Sequence, residues 1–284
     1  MRIFLAGATG VIGRRIVPLL IEQGHQVTGL VRQAAGAAAL HAQGADAAPA
    51  DVYDVDALAR AIQSAAPEVV IHQLTDLSDG NGESNAVMRK TGTRNLTNAA
   101  LAAGVSRIVA QSIAWAYEGG DDPATEQTPL DLGASMPRLT AVRGVAALEG
   151  AVREAPEWVV LRYGLLYGPG TWYTRGGLAA GRAQARELVA DADVSSFVHV
   201  DDAAAAAVAA LAWPSGAVNV CDDEPAAGYE WVPAFCQSVG AAAPRRTTDA
   251  VRHEWARGAD NHHARKHLGW TPRHPSWREG FTAS

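Results

Sequence analysis

Three glycines near the start of the chain have the spacing of a phosphate-binding turn. Gly7, Gly10 and Gly13 follow the apolar segment 3–6 and precede an apolar stripe of helical spacing over residues 16–20. A strand, a glycine turn and a helix in this order present backbone N–H groups and the positive end of a helix to a pyrophosphate. The alternative is an ordinary tight turn between a strand and a helix. The motif has the context it requires, so the sequence predicts a dinucleotide-binding site.

Arg32 indicates which dinucleotide to expect. A site for NAD usually has an acidic residue at the end of the second strand, where it accepts hydrogen bonds from the ribose 2′-hydroxyl. This chain has Val31 at that point, followed by Arg32, and Arg14 and Arg15 add positive charge just past the glycines. A guanidinium suits a 2′-phosphate because it is permanently charged and its fork matches the anion. We therefore expect NADP, with NAD as the alternative if Arg32 is only a solvated loop residue.

Further short segments form an ordered series along nearly the whole chain. They are Asp51-Val52, Val70-Ile71-His72, Arg162-Tyr163, Tyr167-Gly168-Pro169, residues 197–202 and residues 268–272. Together with the glycine turn, they resemble the landmarks of the extended short-chain dehydrogenase/reductase superfamily, in its nucleotide-sugar epimerase and dehydratase branch. Such a series is specific for a fold but much less so for a reaction, because function depends on the site.

The resemblance also implies a set of cofactor contacts. The glycine turn and the ends of the second, third, fourth and sixth strands are expected to line the dinucleotide. The residues at these places are Gly7, Thr9, Gly10, Val11, Ile12, Gly13, Arg32, Asp51, Val52, Gln73, Leu74, Thr75, Tyr163 and Leu165. Within this set, Asp51 and Val52 are expected to contact the adenine.

The usual proton-transfer residues of the superfamily are absent. Its members usually have a Tyr-x-x-x-Lys pair on the helix before the sixth strand, in which the lysine lowers the pKa of the tyrosine. When Glu149 is placed on the family's glutamate, Ala141 and Val145 occupy the tyrosine and lysine positions. No Tyr-x-x-x-Lys occurs elsewhere, and Lys90 and Lys266 are the only lysines. The chain is therefore expected to be an atypical member.

Few polar groups remain as candidates for a proton donor. Ile113 occupies the usual Ser/Thr position, and a shift of register by one residue would place Ser112 there. We name Ser112, Tyr117 and Tyr173 as catalytic candidates, although Tyr117 alternatively only packs its loop. Tyr173 stands beside Trp172 in the predicted substrate lobe. Without a cationic neighbour its pKa stays near ~10, so it is suited to donate a proton and is a poor base at neutral pH.

Neither a metal site nor a disulfide is expected. Four histidines near the C-terminus raise the question of a metal: His253, His262, His263 and His267. Two of them share a helical face, but the surrounding sequence resembles a family helix that only docks on the sheet. Cys221 and Cys236 are too few for a disulfide framework, so we expect buried thiols in a reducing cytoplasm.

Composition and charge narrow the class of partner. A hydrophobic content of 48% and a charged content of 19% fit a globular protein. The net charge of −6 disfavours nucleic acid and anionic membranes, since both favour a basic face. Because the first predicted strand begins within three residues of Met1, we expect no signal peptide, and no apolar run is long enough to span a bilayer. We expect a cytoplasmic protein that acts on a small molecule.

Short apolar strands alternate with helical stretches through the first half of the chain. Strands are predicted at 3–6, 27–31, 45–48, 69–73, 107–111 and 158–163, and helices at 57–65, 84–103 and 142–152. This alternation predicts an α/β fold, a Rossmann-type doubly wound parallel sheet. We assign 1–163 to an NAD(P)-binding domain and 164–284 mainly to a smaller C-terminal substrate lobe, with segments returning to the sheet. The ligand cleft is expected between them, and the resemblance implies a homodimer through the two longest helices.

Three functions stay open on the sequence. The first is an NADP-dependent oxidoreductase that reduces a carbonyl, imine or activated alkene of a small apolar metabolite with a non-standard proton donor. Its expected pocket is lined by Ile113, Trp115, Leu165, Leu166 and Trp172. The second is an epimerase, dehydratase or cyclase without net redox change. The third is a catalytically silent sensor that binds NADP(H).

Overall fold

The strands are short, and most are apolar along their buried stretches. In the computed structural model, which describes residues 1–77, 80–247 and 251–282, they are β1 (Arg2–Ala6), β2 (Gln26–Val31), β3 (Asp46–Pro49), β4 (Val69–His72), β5 (Arg107–Ile113), β6 (Glu157–Tyr163), β7 (Leu165–Tyr167), β8 (Val189–Ala190), β9 (Val194–Ser195), β10 (Phe197–His199), β11 (Gly216–Val220), β12 (Ala226–Ala227) and β13 (Arg245–Arg246).

Helices follow most strands of the first half. They are α1 (Gly13–Glu22), α2 (Ala34–Ala42), α3 (Val55–Ala65), α4 (Gly82–Val87), α5 (Thr93–Ala102), α6 (Arg138–Val152), α7 (Leu178–Gln184), α8 (Val200–Ala209), α9 (Gly228–Ser238), α10 (His262–Lys266) and α11 (Trp277–Thr282). A π-helical turn, Met88–Gly92, connects α4 to α5.

Seven of the strands form one sheet, in the order β11, β6, β5, β4, β1, β2, β3. The strand β1 lies between β2 and β4 and pairs with both in parallel, so that Ile3 lies opposite Val27 on one side and Val69 on the other. The strands β2 and β3 also pair in parallel, as do β4 and β5. The strand order reverses beside β1, which is where such sheets bind dinucleotides. The predicted α/β, Rossmann-type fold is confirmed.

Contacts divide the chain into two compact and interleaved units. The first comprises Met1–Ser112, Gly133–Leu161 and Ala204–Ala217, and the second comprises 113–132, 162–203 and the described part of 218–284. The second unit therefore takes the segment after β5, and the first unit takes most of α8. The assignment of domains to 1–163 and 164–284 stays a prediction.

The core of the first unit lies against the sheet. Phe4 and Val70 of neighbouring strands pack with Leu58 and Ile62 of α3 and with Leu96 of α5. All five side chains are almost completely buried. Burial of a side chain of this size contributes about 1.5–3 kcal/mol, so this face holds the β-strands that carry the glycine turn in a fixed position.

The helix predicted over 84–103 is interrupted. Asn81 caps α4 by accepting hydrogen bonds from the backbone N–H groups of Glu83 and Ser84. The π-helical turn then widens the backbone before α5 begins. A Cβ on Gly92 would lie 2.6 Å from the sulfur of Met88, so the side chain of Met88 occupies the space beside this glycine. Single π-turns inside helices occur frequently at functional sites.

The second unit has a core of aromatic rings. Phe197 lies at the centre, with ring centroids 5.8 Å from Tyr173 and 5.4 Å from Trp231. Phe235 of α9 and Phe281 of α11 complete the cluster, 5.2 Å apart. Most of these pairs meet edge to face, the arrangement that the charge distribution of aromatic rings favours. Small sheets frame the cluster, with β7 parallel to β10 and β9 antiparallel to β12.

Candidate cofactor site and substrate pocket

The glycine turn of the first unit has no room for side chains. Gly7 has a φ of +90°, and a Cβ on it would lie 2.6 Å from the carbonyl oxygen of Gln73. A Cβ on Gly13 would lie 2.0 Å from the carbonyl oxygen of Gly7. The N–H of Gly10 donates to that same oxygen at 3.0 Å and closes the turn. The helix α1 begins at Gly13, so the turn leads directly to a helix N-terminus, as pyrophosphate binding requires.

Gln73 is a buried side chain with unsatisfied polar atoms. It follows β4, its backbone N–H donates to the carbonyl of Ala6, and its carbonyl lies against Gly7. The side chain is only 6% exposed, and neither its Oε1 nor its Nε2 has a partner among the described residues. A buried amide without partners is costly. The sequence predicts that Gln73 contacts the dinucleotide. Its buried amide without partners and the tight turn beside it are compatible with that cofactor.

Arg32 lies just beyond the end of β2. Val31 is buried and ends the strand, while Arg32 is exposed. A Cβ on Gly36 of α2 would lie 3.2 Å from Thr9 and 3.3 Å from Val31, so the end of β2 and the glycine turn are near neighbours. Arg32 therefore stands at the place where the sequence predicts a contact with the ribose side of a dinucleotide.

The remaining predicted cofactor residues fall in both units. Val52 accepts a hydrogen bond at its carbonyl from the side chain of Asn95, and the carboxylate of Asp51 accepts one from the N–H of Tyr53. The carbonyl of Leu74 accepts one from Gln111. These contacts hold the edge of the first unit in place. Tyr163 and Leu165 belong to the second unit instead, and their roles stay predictions.

The positions of the missing proton relay are apolar in the structure as well. On α6, Ala141 is half-buried and Val145 is completely buried, so neither position presents a polar group. Ile113 ends β5 with a half-buried aliphatic side chain. Nothing at these three places can ionise or exchange a proton.

Ser112 is bound to a neighbour within the first unit. Its hydroxyl donates to the carboxylate of Glu149 at 2.8 Å, and both residues are almost completely buried. The second oxygen of Glu149 accepts a hydrogen bond from Arg153 at 3.2 Å. This chain of contacts ties β5 to α6. The Ser112 hydroxyl therefore points at a carboxylate, and this hydrogen bond links two elements of the fold.

Tyr117 is enclosed in a polar network of the second unit. Its hydroxyl donates to the side-chain oxygen of Asn219 and accepts a hydrogen bond from Arg162 at 3.0 Å. The same guanidinium lies 4.9 Å from the centre of the phenol ring. Burial raises the pKa of Tyr117 well above its usual value. A phenol held in this way is a weak acid at neutral pH.

Tyr173 belongs to the aromatic cluster. Its ring centroid lies 5.4 Å from Phe235 and 5.7 Å from Trp231. Burial raises the pKa of Tyr173 to about 12. The sequence-based expectation of a pKa near ~10 is wrong, because it considered only charged neighbours and not the burial of the phenol. Tyr173 is therefore a weaker proton donor than the sequence indicates.

A cavity of about 260 Å³ opens within the second unit. Three tryptophans contribute to its wall: Trp115, Trp231 and Trp255. Two carboxylates, Asp191 and Asp193, also line it, and no lysine, arginine or histidine is among its lining residues. Its size and aromatic walls suit a small planar molecule.

The acidic side of this cavity has its own contacts. Burial raises the pKa of Asp191 above its usual value. Asp193 accepts hydrogen bonds from His253, at 2.9 Å from the backbone N–H and 2.8 Å from Nδ1. Trp231 is 9% exposed, and its indole nitrogen has no hydrogen-bond partner among the described residues.

The pocket predicted from sequence matches this cavity only in part. Trp115 and Leu165 line it, whereas Ile113, Leu166 and Trp172 do not. Trp172 is 37% exposed. Sequence reasoning missed Trp231 and Trp255, because they lie far apart in the chain from Trp115 and only the packing of the second unit brings them to one wall.

Of the four histidines that raise the question of a metal, His262 and His263 have rings 6.0 Å and 5.5 Å from that of His267. A tighter group lies in the second unit, where His199, Asp202 and His274 have side-chain atoms within 4.8 Å of one another. The carboxylate of Asp202 accepts hydrogen bonds from the backbone N–H groups of Arg273 and His274 and from the His274 ring. The two imidazole rings stack 3.7 Å apart. These contacts hold the segment that contains Arg273 and His274 against the start of α8, which gives the cluster a structural role.

No helix within residues 1–77, 80–247 and 251–282 combines the length and the apolar character needed to cross a bilayer.

Comparisons with known proteins agree with this geometry. The model of the NAD dependent epimerase/dehydratase family matches residues 3–221. A relative from a Streptomyces species, 3-diazoavenalumate denitrifying reductase, is 44% identical over 306 aligned positions that cover 99% of each chain.

Solved structures show the same fold. The UDP-glucose 4-epimerase of Thermus thermophilus in complex with NAD is 25% identical, with a TM-score of 0.75, over 99% of this chain and 97% of its own. The Bordetella bronchiseptica enzyme WbmG in complex with NAD and UDP is 23% identical, with a TM-score of 0.77, over 99% and 92%. This chain belongs to the NAD dependent epimerase/dehydratase family and is an NAD(P)-dependent oxidoreductase or epimerase.

Proposed function

We propose that this protein is an NADPH-dependent reductase that replaces the diazo group of a small aromatic acid by hydrogen. The observation that carries the proposal is the loss of every usual proton-relay group. Ala141, Val145 and Ile113 are apolar, and the nearby Ser112 is bound to Glu149. A reaction that needs a hydride but no proton from the protein fits this set of residues.

The chemistry of a diazonium group meets that condition. A bound nicotinamide supplies a hydride. An arenediazonium ion that accepts a hydride gives the arene and N₂, so the C–N bond breaks, a C–H bond forms and the positive charge disappears. Reduction of a carbonyl, imine or activated alkene needs a proton as well, which a relay must deliver. The name of the Streptomyces relative, a denitrifying reductase of a diazo compound, supports the same reaction.

The residues of the cavity suit a diazonium-bearing ring. Indole rings attract a cationic arene, and the carboxylates of Asp191 and Asp193 add negative charge to the lining of the cavity. Water converts diazonium ions to phenols, so an apolar wall that includes Trp115 and Trp231 protects the substrate from this side reaction. The preference for NADPH rests on Arg32, whose guanidinium suits the 2′-phosphate.

The test is a labelled turnover experiment. The protein is given a diazonium-substituted cinnamate and NADPH deuterated at the transferable position. We expect equal amounts of NADPH oxidised and N₂ released, with deuterium at the ring carbon that carried the diazo group. Reactions without protein, and with heat-denatured protein, measure the chemical background.

Each contrary outcome indicates a different function. Ring deuterium that comes only from D₂O would contradict hydride transfer. Conversion of the substrate without oxidation of NADPH would indicate a non-redox enzyme. Tight NADPH binding with no turnover of diazo, carbonyl or imine substrates would indicate a sensor.

A further inference from the structure

Arg89 is a buried cation in the first unit. It lies in the π-helical turn and is only 7% exposed. Its stem packs on α6, where a Cβ on Gly144 would lie 3.5 Å from the Cδ of Arg89. Among the described residues, no carboxylate forms an ion pair with its guanidinium, and burial lowers the pKa of Arg89 to about 10.

Other arginines with low exposure have partners. The guanidinium of Arg107 binds Glu157 at 2.6 Å and two backbone carbonyls. That of Arg162 binds the hydroxyl of Tyr117. A buried charge without a partner destabilises the fold, and a bound anion would remove this cost by supplying the partner. Arg89 therefore has the environment of a ligand-binding residue.

Its place in the fold is close to the altered relay positions. Gly144 precedes Val145, which occupies the family's lysine position, and lies one turn beyond Ala141. The π-helical turn places the stem of Arg89 on this part of α6. The chain thus lacks a lysine on α6 and has an arginine packed against the same stretch of that helix.

We propose that Arg89 binds the carboxylate of an aromatic acid. This inference rests on the proposed function, which assigns an aromatic acid as substrate. A guanidinium matches a carboxylate with two parallel hydrogen bonds, and these fix orientation as well as affinity. The same chemistry would bind a phosphate group of the cofactor, so the test must separate these two anions.

Binding of unreactive ligands gives that separation. Cinnamate, its neutral amide and NADPH are titrated into the wild type, Arg89→Met, Arg89→Lys and the control Arg94→Met. Arg94 lies on α5 and forms an exposed ion pair with Glu154, so its replacement removes the same charge from the surface. We expect Arg89→Met to weaken cinnamate roughly 10- to 100-fold and to change the affinities for cinnamamide and NADPH less than about twofold. Arg89→Lys is expected to recover part of the cinnamate affinity.

Thermal unfolding distinguishes this role from a structural one. Because the Arg89 charge has no partner in the described part of the protein, Arg89→Met is expected to keep or raise the wild-type Tm. A lower Tm together with equal weakening of cinnamate and cinnamamide would overturn the inference. So would a selective loss of NADPH affinity, which would assign Arg89 to a cofactor phosphate, or equal wild-type affinities for cinnamate and cinnamamide.

These binding titrations test Arg89 independently of the proposed reaction, because they measure no turnover. Selective binding of cinnamate through Arg89 in a protein that does not reduce the diazo substrate would refute the reaction and keep the anion site. If Arg89→Met does not fold, the ratio of cinnamate to cinnamamide affinity in Arg89→Lys decides. An unchanged ratio would overturn the inference.

Discussion

The glycine turn matches the superfamily pattern, whereas the relay positions of β5 and α6 depart from it. At the turn, Gly7 and Gly13 stand where any side chain would collide with the backbone, and the amide of Gln73 is left without a partner among the described residues. At the relay positions, Ala141 and Val145 replace two ionisable residues of the superfamily pattern. The glycine turn has the geometry that a dinucleotide needs, whereas the tyrosine and lysine of the usual proton relay are absent.

This contrast shows that cofactor binding and proton transfer are separable properties of the fold. The turn depends on backbone geometry, which tolerates almost no substitution. The relay depends on side chains, which can change without loss of the fold because function is a property of the site. The chain therefore keeps the part that binds the hydride donor and lacks the usual part that delivers a proton.

The largest expected effect comes from filling the turn. In Gly13→Ala the new Cβ would lie 2.0 Å from the carbonyl oxygen of Gly7, so the turn must open. Overpacking of this kind costs about 3 kcal/mol, and we expect NADPH affinity to fall about 100-fold or more. Calorimetric titration measures the change. Gly150→Ala on α6 is the control, since its Cβ would meet nothing within 4 Å. Unchanged NADPH affinity in Gly13→Ala would refute the dinucleotide site.

A smaller effect is expected at Arg32. Removal of a charged hydrogen bond to the 2′-phosphate is worth about 1.5–3 kcal/mol, so Arg32→Ala should weaken NADPH roughly 10- to 100-fold. NADH lacks that phosphate, and its affinity should change less than about twofold. Fluorescence titration with both cofactors gives the ratio. An equal loss for NADPH and NADH would show that Arg32 does not select the cofactor.

The sequence predicts well what depends on local pattern. Alternating strands and helices, with glycines after β1, predict the parallel sheet and the turn. The missing relay is also visible in the sequence, since Ala141 and Val145 stand at fixed offsets from Glu149. These features need only neighbours in the chain or a repeated spacing.

Features that depend on packing could not be predicted. Trp115, Trp231 and Trp255 meet at one cavity although more than a hundred residues separate the first from the second. The raised pKa of Tyr173 could not be predicted either, because the rings of Phe197 and Phe235 that pack against it are distant in the sequence. Arg89 had no sequence signal as a buried cation, because its burial follows from the π-helical turn and the helix packed against it.

The smallest effect is expected at Tyr173, and it tests the absence of a relay most directly. Because burial raises the pKa of Tyr173 to about 12, the folded protein keeps the phenol protonated across the neutral range. Ionisation would lower stability only above about pH 10, where the unfolded chain loses the proton. In Tyr173→Phe we expect kcat for the diazo substrate within about twofold of the wild type, with an unchanged pH profile, since the reaction takes no proton from this group. A fall in kcat with unchanged KM, and loss of a basic limb from the profile, would instead make Tyr173 the missing proton donor and remove the contrast between the two regions.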